Sequence, residues 1–140
     1  MYGAIYNVHA INDVKGIAPD GWRVPTDTDF GTLRTFLGGE LIAGGKLKEI
    51  GTTYWTSPNT GATNEYEFNA RGSGWRNLLG GPSMVFEKIK DNGYFWTSTN
   101  FDSGGFPYAY YYVIFNYALE FVRAFDQLVV GMPIRCMRDV

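Results

Sequence analysis

Residues 94–125 read YFWTSTNFDSGGFPYAYYYVIFNYALEFVRAF and hold 13 of the chain's 24 aromatic side chains. Strands are predicted at Tyr94 to Ser98, Tyr108 to Phe115 and Leu119 to Phe125, with a fourth at Val129 to Met137. Asp102-Ser103-Gly104-Gly105, Asn116-Tyr117 and Asp126-Gln127 supply the turns between them. Consecutive strands joined by short turns make an antiparallel meander. A strand with one wet face alternates polar and apolar residues, yet Ala109 to Phe115 is apolar or aromatic at every position. Either this strand is buried on both sides, or its outer face is a tyrosine-rich contact surface of the kind antibody paratopes use.

Upstream of the meander the pattern changes. Tyr2, Ile5, Tyr6 and Val8 form a β-like run, followed by turn residues at Asn12-Asp13 and Ala18-Pro19-Asp20-Gly21. Thr26 is a good helix N-cap, with Asp29 three residues on as the capping-box acid. Phe30, Leu33 and Leu37 then recur at helical spacing, and Gly38-Gly39 supplies a stop. Glu40 to Ala43 reads as a second short helical piece ended by Gly44-Gly45. From Gly51 to Gly81 the chain is rich in Gly, Ser, Thr, Asn and Pro but carries Tyr54, Trp55, Tyr66, Phe68 and Trp75, so its loops are expected to be pinned to a core by their rings. Met84 to Lys90 reads as a helical turn or a strand. Trp22, Trp55, Trp75 and Trp96 are the expected core anchors. Strand and helix do not alternate, so the fold class is α+β, with short helices, long ordered loops and a C-terminal antiparallel meander.

Composition bounds the function. The 140 residues are the size of one domain, 1–140, able to bury roughly 70% of the surface of the unfolded chain. Twelve Lys and Arg against 14 Asp and Glu give a formal charge of -2, so no basic footprint draws a nucleic acid. One cysteine, Cys136, forms no internal disulfide, and one histidine, His9, supplies no histidine-rich metal site. No stretch has the roughly 20 apolar residues of a bilayer span, and Met1-Tyr2-Gly3 does not begin a signal peptide. Localisation stays open. A cell-surface or secreted location follows if an upstream signal has been removed, and a virion is the other setting.

Catalytic motifs are missing or broken. GELIAGGK at residues 39–46 has Glu40 where a phosphate loop needs glycine, and Leu47 where it needs Ser or Thr. His9 has no nucleophile motif around it, and Cys136 reads as a small buried apolar side chain. Glu65 and Glu67 would share a face at strand spacing, but paired loop acids do so without function. Asn59-Thr60-Gly61-Ala62-Thr63-Asn64-Glu65 is rich in oxygen ligands, which leaves calcium open as its ligand. The same residues also build turns that hold their own backbone.

Several ordered blocks resemble a known family. Tyr6-Asn7, residues 16–27 (GIAPDGWRVPTD), Gly45-Lys46-Leu47-Lys48-Glu49, Ser57 to Glu65, Gly93 to Thr99 and Arg135-Cys136 resemble the Fibrobacter succinogenes major paralogous domain. The resemblance spans nearly the whole chain. It implies a C-type-lectin-like fold, secreted or surface-anchored bacterial proteins, and no catalytic residues to carry over. Where relatives are expected to carry Tyr, Ser, Asn and Arg, this chain has Val113, Ile114, Phe115, Ala118, Leu119, Phe121, Val122 and Ala124. Ile114 stands at a position the family keeps aliphatic. Tyr110, Tyr112 and Ile114 are therefore placed inward, and the period of two sends Tyr111, Val113 and Phe115 outward.

Domains of this kind are similar to the variable proteins of diversity-generating retroelements, in which adenines of a C-terminal stretch, mostly in AAC codons, are randomised. Codons ending in C encode no Lys, Glu, Gln, Met or Trp. Residues 97–131 contain only Glu120 and Gln127 of those types, where ordinary usage gives about seven.

The expected function is non-catalytic ligand binding or adhesion by a bacterial or phage protein, with a protein or glycan ligand on another surface. The expected binding residues are Phe101, Asp102, Phe106, Tyr108, Tyr111, Val113, Phe115, Tyr117, Phe121, Arg123, Phe125 and Asp126. No cofactor is expected beyond the open question of calcium. Two other classes remain as alternatives: a structural module of a pilus or the cell envelope, and an oxidase like the formylglycine-generating enzymes. The second uses paired cysteines, which one cysteine does not provide.

Overall fold

The computed structural model describes residues 1–78 and 83–139. Its helices are α1 (Val8–Ile11), α2 (Asp27–Phe36) and α3 (Glu40–Leu47). Its strands are β1 (Trp22–Arg23), β2 (Ser73–Leu78), β3 (Met84–Ile89), β4 (Asn92–Ser103), β5 (Phe106–Phe115), β6 (Phe121–Gln127) and β7 (Met137–Arg138). Mixed helix and antiparallel sheet make it an α+β protein. Residues 79–81, the end of the Gly51 to Gly81 stretch, and residue 140 lie outside the described residues.

Helix α2 forms where local chemistry asks for it. The Thr26 hydroxyl accepts from the Asp29 amide at 3.2 Å, and the Asp29 carboxylate accepts from the Thr26 amide at 2.8 Å, closing the capping box. The Arg23 guanidinium grips the same carboxylate, with one N–H···O at 2.9 Å. These contacts hold the Asp29 carboxyl well below the usual carboxylate range, mainly through the Arg23 hydrogen bond. Gly38, at φ +100°, ends the helix in a conformation that L side chains rarely adopt.

Helix α3 overturns the expectation that Gly44-Gly45 stops it. The helix runs through both glycines to Leu47 because the chain at Leu119-Glu120 crosses them. A Cβ at Gly44 would overlap the Glu120 carbonyl oxygen, and one at Gly45 would meet Gly61 and Leu119. The absent side chains let backbone pass over backbone, which sequence alone does not distinguish from a helix stop.

The central sheet has the order β4-β5-β6, all antiparallel. Both of its faces are covered along most of their length. On one face, Phe95, Tyr112, Ile114 and Phe121 join Phe30 of α2, Leu37 at its C-cap, and Ala43 and Leu47 of α3, with Trp55 from the long loop. On the other, Tyr94, Trp96, Ala109 and Val113 meet Val8 and Ile11 of α1 together with Val130 and Met132. Ala109 to Phe115 is thus apolar on both sides because two cores need it.

Other expectations are corrected here. The N-terminal run makes one bridge, Tyr6 to Met132, before turning into α1. Asn7 caps that helix by accepting from the Ala10 amide at 3.0 Å. Met84 to Lys90 resolves as strand β3, paired with β2. Val129 to Met137 is not a continuous strand: Gly131 and Met132 make single bridges to Arg76 and Tyr6, and Met137 with Arg138 forms β7, which pairs with β1 just ahead of α2. Trp55 and Trp96 are buried anchors and Trp75 stacks on Tyr94 at 4.8 Å, but Trp22 is 47% exposed and anchors no core.

Candidate functional site

The face of the sheet that packs on α2 leaves the core before the strands end. Beyond Tyr112, residues Tyr108 and Tyr110 of β5 continue along it, opposite Phe101 of β4 and Phe125 of β6. Their rings interlock. Phe101 stacks on Tyr110 at 4.6 Å and on Tyr108 at 5.6 Å, and Phe125 stands edge-on to Phe101 at 5.3 Å and to Tyr108 at 5.5 Å. Phe125 is 55% exposed and Phe106, at the end of the same hairpin, 65%. The cluster is therefore rigid through its own packing yet presents ring surface to solvent.

Arg123 links this cluster to α2. Its guanidinium lies 3.7 Å from the centre of the Tyr110 ring, and its Nε and Nη2 each donate to the Asp27 carboxylate at 2.7 Å. The Tyr112 hydroxyl donates to Asp27 Oδ1 at 3.1 Å. The Arg123 hydrogen bond is the main reason the Asp27 carboxyl lies below its ordinary value, whereas burial, followed by the Asp27 charge, pushes the Tyr112 hydroxyl up to about 12. Beside these groups an open groove of about 800 Å³ follows α2 past Gly31, Thr32 and Thr35 to Phe36.

The structure sorts the expected binding residues. Phe101, Phe106, Tyr108, Arg123 and Phe125 come together at this patch. Asp102 sits at the hairpin turn, where its Oδ1 accepts from the Gly105 amide at 2.9 Å. Tyr117 is exposed but lies at the other end of β5, beside Phe115. Val113 is 5% exposed and Phe121 fully buried, so neither offers a contact surface. Tyr111 and Phe115 pack against the second core, and Asp126 is half-buried on that same side. Burial, with the Asp126 charge, pushes the Tyr111 hydroxyl up to about 12, and burial raises the Asp126 carboxyl. The outward assignment of 111, 113 and 115 is thus corrected: Val8, Val130 and Met132 cover that face. Tyr112 and Ile114 do point into the α2 core, while Tyr110, expected inward, belongs to the exposed cluster. The contributions of Asp27, Gly31, Thr32 and Thr35 were missed. Their signal was the solvent face of α2, which carries Thr and Gly where a bare helix favours Ala, Glu and Lys.

The other candidates have structural employment. In the oxygen-rich loop, Asn59 Nδ2 donates to the Glu49 and Gly51 carbonyls at 3.0 and 2.7 Å. The Thr60 carbonyl accepts from the buried Lys48 ammonium at 2.6 Å, and Glu65 pairs with Lys46 at 3.6 Å. Lys48 Nζ also donates to the carbonyls of Phe115 at 2.9 Å and Ala118 at 2.8 Å, so a side-chain cation gathers the carbonyls here. Burial lowers the Lys48 ammonium to about 8, which leaves it charged at neutral pH. Among the described residues no group of three or more His, Cys, Asp or Glu is placed to hold a metal. His9 is exposed, and burial raises the half-buried Cys136 thiol, the reverse of an activated nucleophile. Glu67, at φ 52°, is not in a strand, so the expected Glu65–Glu67 face does not form. No helix among the described residues is long and apolar enough to cross a membrane.

The model of the Fibrobacter succinogenes major domain matches residues 1–138. The chain belongs to that family. No curated protein and no solved structure matches it. Of the blocks quoted for the resemblance, residues 16–27 lead into the α2 capping box, Lys48 ties loop to sheet, and Gly93 to Thr99 form the core half of β4. The aromatic patch lies outside those blocks.

Proposed function

We propose that this member of the family is a non-catalytic binding or adhesion module on a C-type-lectin-like scaffold. The interlocked Phe101–Tyr108–Tyr110–Phe125 cluster, packed rigidly yet open to solvent beside the α2 groove, carries this reading. Rigid aromatic surface loses little entropy on binding, and Arg beside Tyr is a frequent hot-spot pair. In support of the lectin-like fold stand the resemblance of the scaffold blocks, the bridge between the N- and C-terminal regions at Tyr6 and Met132, and the long segment between α3 and β2. Bacterial cell surface, secretion or a phage particle fits such a role, with a protein or glycan as the ligand.

Retroelement diversification fits the same surface. Residues 97–131 hold the exposed rings, and Glu120 and Gln127 are the only residues there outside the reach of codons ending in C.

One observation favours the assembly module as a second reading. Phe86 on β3 is also exposed, at 73%, and a bare ring on a strand fits a neighbouring subunit. The experiment combines Phe106→Ser and Phe125→Ser, both at exposed positions, and measures attachment to immobilised polysaccharides and bacterial cells alongside sedimentation. Attachment by a monomer that the double variant loses supports the binding module. Concentration-dependent assembly with no attachment overturns it.

A further inference from the structure

A second hollow lies on the other side of α2 from the open groove. Its volume is about 220 Å³, and its walls are Phe30 and Leu33 of the helix, Phe68 of the long loop, Met137 of β7 and Pro25. The residues it takes from α2, at 29, 30 and 33, share one helix face, whereas 27, 31 and 35 at the groove lie on the opposite one. Leu33 and Phe68 pack against the core under α2 but are only partly buried by it. The hollow is thus an apolar slot at the edge of that core.

Two charged side chains border the slot, Asp29 and Arg135, and only one of them is matched. The Asp29 carboxylate accepts from Arg23 at 2.9 Å and from the Thr26 amide and hydroxyl, each at 2.8 Å. Arg23 also meets the exposed Asp139 at 3.2 Å. Arg135 differs. Its guanidinium lies 4.7 Å from the centre of the Phe68 ring, and among the described residues no carboxylate pairs with it. A guanidinium over a ring engages its flat face and keeps its N–H edge for an acceptor.

Apolar walls with one unmatched cation at the border select a ligand with an apolar body and one carboxylate. An amine finds no free countercharge there, because Asp29 is already engaged. Size narrows the body: an apolar cavity of about 150 Å³ holds benzene, so this slot suits one aromatic ring on a short arm. We infer that the slot binds a small aryl carboxylate, its ring against Phe30, Leu33 and Phe68 and its carboxylate on the N–H edge of Arg135. A guanidinium takes a carboxylate through two parallel hydrogen bonds, which fixes the orientation of the ligand. The site is separate from the aromatic patch and independent of the binding-module reading.

The test titrates the 15N-labelled protein with 3-phenylpropionate, its neutral isostere 3-phenylpropanamide and the cationic 3-phenylpropylamine. Expected is that the acid shifts the amides of Leu33, Cys136 and Met137, that the neutral isostere binds about tenfold more weakly, and that the amine binds more weakly still. Arg135→Gln, at an exposed position, should melt near the parent temperature and weaken the acid about tenfold. Arg138→Gln, an exposed neighbour outside the slot, should change its affinity by less than about twofold, since solvent screens charge at a distance. Cys136 borders the slot and is the sole cysteine, so bound acid should also slow its alkylation by iodoacetamide. Equal affinity for the acid and its isostere, or an unchanged affinity in Arg135→Gln, would overturn the inference by showing an unselective apolar hole. Silence of these amides at millimolar acid would overturn it outright. Shifts confined to Phe101, Tyr108 and Phe125 would also overturn it, while supporting the aromatic binding surface.

Discussion

Arg123 on β6 and Asp27 on the first turn of α2 meet in a two-point ion pair, each N–H···O distance 2.7 Å, across 96 residues of sequence. The pair fixes the helix against the sheet at the point where the shared core ends and the groove begins. Its energy is modest, because the Arg123 side chain is 39% exposed and solvent screens the attraction.

Acid should loosen this junction. The Asp27 carboxyl titrates lower in the folded chain than in the unfolded one, chiefly because of Arg123, and Asp29 does so because of Arg23. Their stabilisation is complete above the unfolded carboxylate value of about 4 and is lost as pH falls through the lower folded values. Asp27→Asn is expected to cost about 1 kcal/mol at pH 7. The gap should narrow towards zero in acid, where the parent carboxyl is also neutral. Urea unfolding at pH 7 and pH 3 measures both; a gap that stays constant would sink the assignment.

How far these features are legible in sequence depends on the range of the cause. The inward positions of Tyr112 and Ile114 rest on the family resemblance at Ile114 carried along the strand by its period of two, and the Thr26–Asp29 capping box follows from spacing within one element. The role of Gly44-Gly45 does not, because the cause is a chain segment some 75 residues later, and a helix stop looks the same in sequence. The β5 face was misread for a related reason. Period two tells which residues share a face, but not that α1 and the segment around Val130 cover one face while α2 covers only part of the other. Tyr110 and Tyr112 lie on one face and differ in exposure because the packed helix ends between them.

Lys48 offers a sharper probe of the loops. Its ammonium satisfies the carbonyls of Thr60, Phe115 and Ala118 from a fully buried position. Lys48→Met keeps an apolar stem but leaves those carbonyls without that donor. The expected cost is about 3 kcal/mol, in the range for removing one partner of a buried charged network. Chemical denaturation gives the value, and amide exchange at the loop residues 57–65 should accelerate first. A loss under about 0.5 kcal/mol, within the scatter of ordinary surface substitutions, would show that the carbonyls find other donors.

The helical glycines predict opposite outcomes from one substitution. Gly31→Ala adds a methyl in free space to a helix interior and should stabilise by about 0.5–1 kcal/mol. Gly44→Ala drives a methyl into the Glu120 carbonyl and should destabilise by about 1–3 kcal/mol through overpacking. Thermal melts of the two variants beside the parent decide the matter. Equal destabilisation by both would mean that the floor of the groove is shaped by internal packing.

Diversification makes a positional claim that the fold sharpens. A retroelement template would be a nearby near-identical repeat of the coding stretch, with adenines at the codons it varies. Substitution is tolerated where side chains face solvent, so those codons should be the ones for Phe101, Phe106, Tyr108, Tyr110, Arg123 and Phe125. The codons for Ala109, Tyr112, Ile114 and Phe121 should match the template unchanged, because their side chains fill the cores on either side of the sheet and altering them costs several kcal/mol. Sequencing the flanking DNA reads this directly. A repeat whose adenines fall on the buried codons, or the absence of both a repeat and a reverse transcriptase gene, would end the proposal.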